Sequence, residues 1–325
     1  MLEHNGEIKG VSMKKTMIGG QAVMEGVMMK HLDRYAVAVR KPNKEIIVDV
    51  KDYKSLIQRY PVLALPILRG IASFVESLVI GMKTLTYSAS FFEEEEEKPS
   101  KMDTWLEKVF KGRVDDVIIG ITVIISIVMA MGLFMVLPYL LANMIKIWTH
   151  SNFLISLVEG IVRIALFFLY IILISKMNDI KRTFMYHGAE HKTINCIEHG
   201  ERLTVENVRK HSRYHKRCGT SFLFIVMIIS VIFFMFIQVE GTWMKLIVRL
   251  LLVPVIAGIS YECIRFAGKS DTKLVHWLSK PGMALQNFTT KEPDDEMIEV
   301  AIASVEAIFD WETYIEALNR GEVEQ

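Results

Sequence analysis

Four apolar runs, each long enough to cross a membrane, constrain this chain more than any other feature. They are VIIGITVIISIVMAMGLFMVLPYLL (Val117 to Leu141), FLISLVEGIVRIALFFLYIILIS (Phe153 to Ser175), SFLFIVMIISVIFFMFIQV (Ser221 to Val239) and LIVRLLLVPVIAGISYECI (Leu246 to Ile264). Roughly 20 helical residues cross a ~30 Å hydrocarbon core, and a helix satisfies its own backbone polar groups there. The expectation is a mainly α, polytopic membrane protein with about four transmembrane helices. The composition agrees, with 51% hydrophobic residues. A net charge of +1 gives no case for nucleic acid as a partner, so the lipid bilayer is the partner expected. The stretch MLEHNGEIKGVSMKKTM has no apolar core and does not read as a signal peptide.

Lysine and arginine set the expected orientation. The connections ANMIKIWTHSN and EGTWMK hold one lysine each, whereas the connection 176–220 holds ten basic residues. The basic side is expected to be cytoplasmic, which makes this a multi-pass cell-membrane protein with both N- and C-termini inside. The three cysteines then lie at or near the reducing side, where ligand or thiol roles outrank disulfides.

The expected organisation is as follows. Residues 1–59 form an N-terminal cytoplasmic segment with a β-hairpin over Tyr35 to Val50, where YAVAVRKPNKEIIVDV alternates around Pro-Asn. Residues 60–92 form an amphipathic helix on the membrane surface or packed on the bundle, with Arg69, Glu76 and Lys83 recurring at seven-residue spacing. Residues 93–116 are an acidic linker. The four-span core covers 117–264, with a His-rich cytoplasmic loop at 176–220, and 265–325 is a cytoplasmic segment ending in a helix. These appendages make a small cytoplasmic α+β layer. The stretch Leu278 to Glu296 is not obviously helical, and Lys280, Gln286 and Asn287 in it are candidates for shaping a pocket.

The His-rich loop concentrates the chemistry. Tyr186 to Phe222 carries five of the nine histidines and two of the three cysteines. HGAEH is an H-x-x-E-H pattern, and on a helix His191 falls at about +40° and Glu190 at about −60° from His187. Two imidazoles one turn apart can hold one ion, with the neighbouring carboxylate as general base, the order used by inverzincin peptidases. His211 and His215 are a second i, i+4 pair, followed by Cys218, and Glu262 at the end of the last span is a further candidate ligand. The ion expected is divalent, with zinc favoured. Histidines that contact headgroups, or a purely structural zinc site, account for the same pattern.

Other polar marks are quieter. IGGQAVMEGVMMK (Ile18 to Lys30) reads as a turn and short helix around Glu25. Glu159 and Arg163, four apart inside the second span, read as a mutually neutralising pair or part of a polar pathway that includes Arg249.

The blocks GGQAVMEGVMM, YHGAEHKTINCIEHG, HSRYHKRCGTSF, YECIRFAG and LQNFTTKEP together resemble the YqhQ family, a bacterial membrane family defined by a domain of unknown function. The resemblance runs from about Gly19 to the tail helix. Its label as a predicted metal-dependent enzyme implies a metal, and the positions the resemblance carries over are His187, Glu190, His191, His211, His215 and Cys218. The function expected is a membrane-associated, metal-dependent hydrolase at the cytoplasmic face, with Glu190 catalytic and the substrate unspecified. The alternative is a non-catalytic scaffold, pore or transporter with a structural metal or His cluster. Self-association through the surface helix or tail helix is compatible with either.

Overall fold

The computed structural model describes residues 13–14, 16–92, 114–215, 218–237, 239, 241–269 and 273–324. Among the described residues, four helical stretches are long and apolar enough to cross a membrane: Gly120–Ile147, Asn152–Ile174, Gly219–Phe236 and Trp243–Phe266. The first begins as α2 (Val114–Met131), widens into a π turn at Gly132–Val136, and resumes as α3 (Leu137–Asn143). Pro138 accounts for the widening, because it lacks an N–H and its ring clashes with the Phe134 carbonyl four residues back. The other three spans are α4 (Asn152–Ile174), α7 (Gly219–Phe236) and α8 (Thr242–Lys269). Small residues set their approach. A methyl group on Gly160 of α4 would overlap Val231 of α7.

On one side of the spans lies a sheet-and-helix layer. β1 (Ile18–Val23), β2 (Gly26–His31), β3 (Arg34–Arg40) and β4 (Ile46–Asp52) form an antiparallel meander in sequence order. The expected hairpin is β3–β4, with Ala36 opposite Val50 and Ala38 opposite Val48. The turn and short helix expected over Ile18 to Lys30 is corrected: these residues are β1 and β2. Sandwiching explains why their pattern misleads, since Gly26 to Met29 are buried in succession and lose the one-in, one-out alternation.

One face of the sheet, with Val23, Met28, Tyr35, Val37 and Val39, packs on Ile80 of α1 (Leu68–Ala89). The other, with Val27, Met29 and Ala38, packs on α5 (Asn178–Glu198) and α10 (Asp295–Glu306). A short helix α6 (Val205–Lys210) joins this core. The tail is two helices, α10 and α11 (Trp311–Asn319), begun by Asp294 and Asp310, whose carboxylates accept from Met297 N at 2.9 Å and Thr313 N at 3.1 Å.

One placement differs from the sequence reading: α9 (Lys273–Thr289) is a continuous helix through Pro281, where no helix was evident, and it packs along α7, with Gly282 against Ser221 and Gln286 Nε2 donating to Ser221 Oγ at 3.3 Å. Helix α1 packs against α8, where Gly70 meets Gly258 backbone to backbone and Arg69 binds Glu262. The acidic linker expected at 93–116 lies outside the described residues up to 113; residues 114–116 already belong to α2.

Candidate metal centre

Helix α5 continues from the end of α4 and is buried almost without break from Tyr186 to Ile197. Gly188 makes this possible, because a side chain there would overlap the Lys291 carbonyl. The chain after α9 therefore lies directly on α5, with Lys291 N donating to Phe184 O at 2.8 Å.

That contact orients the first histidine. His187 Nδ1 donates to the Thr289 carbonyl at 2.8 Å, and His191 Nδ1 donates to the Arg213 carbonyl at 2.6 Å. A carbonyl only accepts, so both rings carry the proton on Nδ1 and leave Nε2 with a free lone pair. Metal-ligating histidines are held in this way. The two ring centres lie 4.4 Å apart. Cys218 is the N-cap of α7, where its Sγ accepts from Thr220 N at 3.4 Å, and it sits 3.3 Å from His187 Nε2. Donor atoms of His187, His191 and Cys218 all lie within 4.8 Å of one another.

This set fits a zinc-like ion. Tetrahedral bonds of about 2.1 Å to nitrogen and 2.3 Å to sulfur put a nitrogen and a sulfur donor roughly 3.6 Å apart. The 3.3 Å between Sγ and Nε2 is a few tenths of an ångström short of that, which a small opening of the group would make up. The mixed nitrogen and sulfur donors also suit zinc.

Glu190 adds an unpaired acid. Its side chain is buried against Gly20 of β1, where any Cβ would overlap the carboxyl, and its Oε2 has no hydrogen-bond partner. Burial pushes this carboxyl up to about 7, with the nearby His187 acting in the other direction. His191 is held below its usual value, chiefly by burial.

The other expected ligands are placed differently. His215 is close, with its ring 5.6 Å from that of His191, but its Nε2 faces Glu198 Oε2 at 3.5 Å. His211 turns away, with Nε2 3.4 Å from Glu201 Oε2 and its ring 5.1 Å from that of His199. The reason is local: α6 ends at Lys210, so 211–215 is irregular and the i, i+4 geometry does not arise. Glu262 is bound by Arg69, with Nε at 2.5 Å, and is not brought to the group. Glu25 is likewise occupied by Arg182 and by the Tyr186 hydroxyl at 3.3 Å. Cys196 is a core thiol pushed up to about 12 by burial, and Cys263 is exposed.

Sequence reasoning named Gln286 only as a pocket-shaping candidate and missed Asn195 and Lys192 as supports. Gln286 is buried in α9 and grips the loop through both halves of its amide. Oε1 accepts from His215 N at 3.0 Å, and Nε2 donates to His215 O at 2.9 Å. Asn195 donates to the Ser212 and Tyr214 carbonyls at 2.7 and 3.0 Å. Lys192 donates to Arg209 O at 3.0 Å. The signal for all three was a polar residue on a face that otherwise reads as core.

Four membrane-length helices, a sheet-and-helix layer on one side, and a His–His–Cys group at the first turn of a span define the class of molecule. Comparison with known proteins places it more closely. The chain belongs to the family described as "Protein of unknown function (DUF1385)", whose model matches residues 65–311. It is similar to the "Uncharacterized protein YqhQ" of Bacillus subtilis (strain 168), with 34% identity over 302 residues, covering 88% of this chain and 90% of that protein. No solved structure matches it.

Proposed function

We propose that this protein is a membrane-associated, metal-dependent hydrolase acting at the membrane face that carries the histidines. The observation that supports this reading best is the pairing of three converging donors with a buried carboxyl that has no partner. His187, His191 and Cys218 hold the ion, and zinc suits the donor set. A divalent ion bound there supplies a Lewis acid that polarises a substrate oxygen and acidifies water. Glu190 is the proton carrier: its unspent oxygen and near-neutral acidity suit a group that accepts a proton and returns it to a leaving group. The Thr289 and Arg213 carbonyls keep the two rings in the tautomer that presents Nε2. The ten basic residues at 176–220 favour the cytoplasmic face of the cell membrane.

The test is metal content per chain of detergent-purified protein beside His187→Ala, His191→Ala, Cys218→Ser and Glu190→Gln. The expected result is about one ion per chain, lost in the first three variants and retained in Glu190→Gln. Wild-type protein purified without chelators and free of metal would overturn the reading.

A further inference from the structure

On the side of the spans opposite the histidines, buried cations outnumber the carboxylate they share. Glu159 and Arg163 lie one turn apart on α4, and Arg249 reaches them from α8; their side chains are 2%, 8% and 3% exposed. Arg163 Nη2 donates to Glu159 Oε1 at 2.8 Å, and Arg249 Nη2 donates to Glu159 Oε2 at 2.7 Å. Arg163 is further held by the Phe134 carbonyl in the π turn, at 2.9 Å, and by Ser230 Oγ at 3.4 Å. Arg249 is less completely satisfied. Its Nη1 lies 2.5 Å from Glu159 Oε1 but makes no directed hydrogen bond, so a buried donor stays unspent.

The charge count is two guanidiniums to one carboxylate. The faces of Phe234 and Tyr139 offset part of the excess, with Arg163 5.0 Å and Arg249 4.9 Å from the first ring and Arg249 5.8 Å from the second. Lys245, one turn nearer the start of α8, adds a third cation 5.1 Å over Tyr139. No second carboxylate is paired with any of the three among the described residues. A net positive charge at this depth is costly unless an anion neutralises it.

Depth and chemistry point to the same partner. At 1.5 Å per residue, Lys245 and Arg249 lie about 4 and 10 Å along α8 from Thr242, and Arg163 lies about 16 Å along α4 from Asn152. The cations therefore step inward from the membrane surface. Guanidinium forks match the paired oxygens of phosphate, and a phospholipid places its phosphate at the level of the outermost step.

We propose that Lys245 and Arg249 form a phosphate-binding site on the membrane side opposite the metal centre, with Glu159, itself held by Arg163, fixing Arg249 in place. The site is independent of the hydrolase reading. Its ligand is a phosphate group, carried by a phospholipid or free in solution.

The test uses the full chain, purified in detergent and stripped of lipid, titrated with short-chain phosphatidylglycerol or with inorganic phosphate. Binding is read by native mass spectrometry and by the shift in melting temperature. Lys245→Gln is the main variant, because Lys245 is only half-buried and holds no described carboxylate; Arg249→Gln is the second. Saturable lipid binding, weakened at least threefold in Lys245→Gln and tenfold or more in Arg249→Gln, supports a lipid-phosphate site. The same losses with inorganic phosphate support a soluble ligand. If Arg249→Gln does not fold, Lys245→Gln decides alone. Absence of saturable binding to wild type, or equal binding by wild type and Lys245→Gln, overturns the proposal and leaves the three charges as a structural ion pair network.

Discussion

Gln286 shows how much of the candidate centre rests on residues that touch no donor atom. Its amide makes two hydrogen bonds to the backbone of His215, three residues before Cys218. Gln286→Ala leaves a buried N–H and C=O unpaired, at a cost of about 1–3 kcal/mol for each group so left. The expected outcome is a lower melting temperature together with metal affinity weakened about 10–100-fold, as when supports behind a ligand are lost. Competition against a chelator of known affinity measures the second effect. Gly20→Ala tests the same centre from the sheet side. Its methyl group overlaps the Glu190 carboxyl, and overpacking of this kind costs about 1–3 kcal/mol. Thermal unfolding in detergent checks it, and an unchanged melting temperature would show that Glu190 does not sit against β1.

At the scale of elements, the seam between α1 and α8 allows two contributions to be ranked. The Arg69–Glu262 pair is about a quarter exposed on each side, so solvent screens it and its contribution is expected to be small. The Gly70–Gly258 contact is backbone against backbone, with nothing flexible to yield. Gly258→Leu is expected to cost more than Arg69→Ala, by about 1–3 kcal/mol of overpacking or by full separation of the helices. Thermal unfolding of the two variants in detergent reads out the ranking. The reverse ranking would mean that the ion pair, not the glycine contact, sets the seam.

For the whole molecule, acid should loosen the sheet-and-helix layer before it affects the spans. His31, His191 and His211 are each held below the usual histidine value, chiefly by burial. A histidine with a depressed folded value binds fewer protons folded than unfolded, so stability falls as pH drops below about 6.5 and continues to fall until the folded value is passed. A metal held by His191, as proposed above, would steepen the loss, because its ligands must be deprotonated. Glu190, raised to about 7 by burial, takes up a proton over the same range and opposes this loss, so the clean comparison is in a Glu190→Gln background. There the melting temperature is expected to decline from pH 7 to pH 5, with His31→Asn reducing the slope, and a flat profile would contradict the burial of these rings.

Much of this architecture was legible in sequence because it is local and periodic. Four apolar runs each had one way to satisfy their backbones in lipid, and H-x-x-E-H had one helical geometry. β2 was not legible, because burial on both faces erased alternation, and β1 was hidden by its Gly19–Gly20 pair, which reads as a turn. α9 was hidden by Pro281 and a polar composition. The second histidine pair misled for a related reason: an i, i+4 spacing has meaning only on a helix, and α6 stops at Lys210.

Sequence by itself determined the number of spans and the residue types available for a metal, since both follow from composition within a single segment. Tertiary structure decided which donors meet. His187 and His191 come from one helix and Cys218 from the cap of another, 27 residues beyond His191 (191 to 218), while Glu262 was taken by Arg69 and His211 by Glu201. A side chain's partner depends on which surfaces pack, and that packing is set by contacts such as Gly188 on Lys291 and Gly70 on Gly258, which no local pattern records.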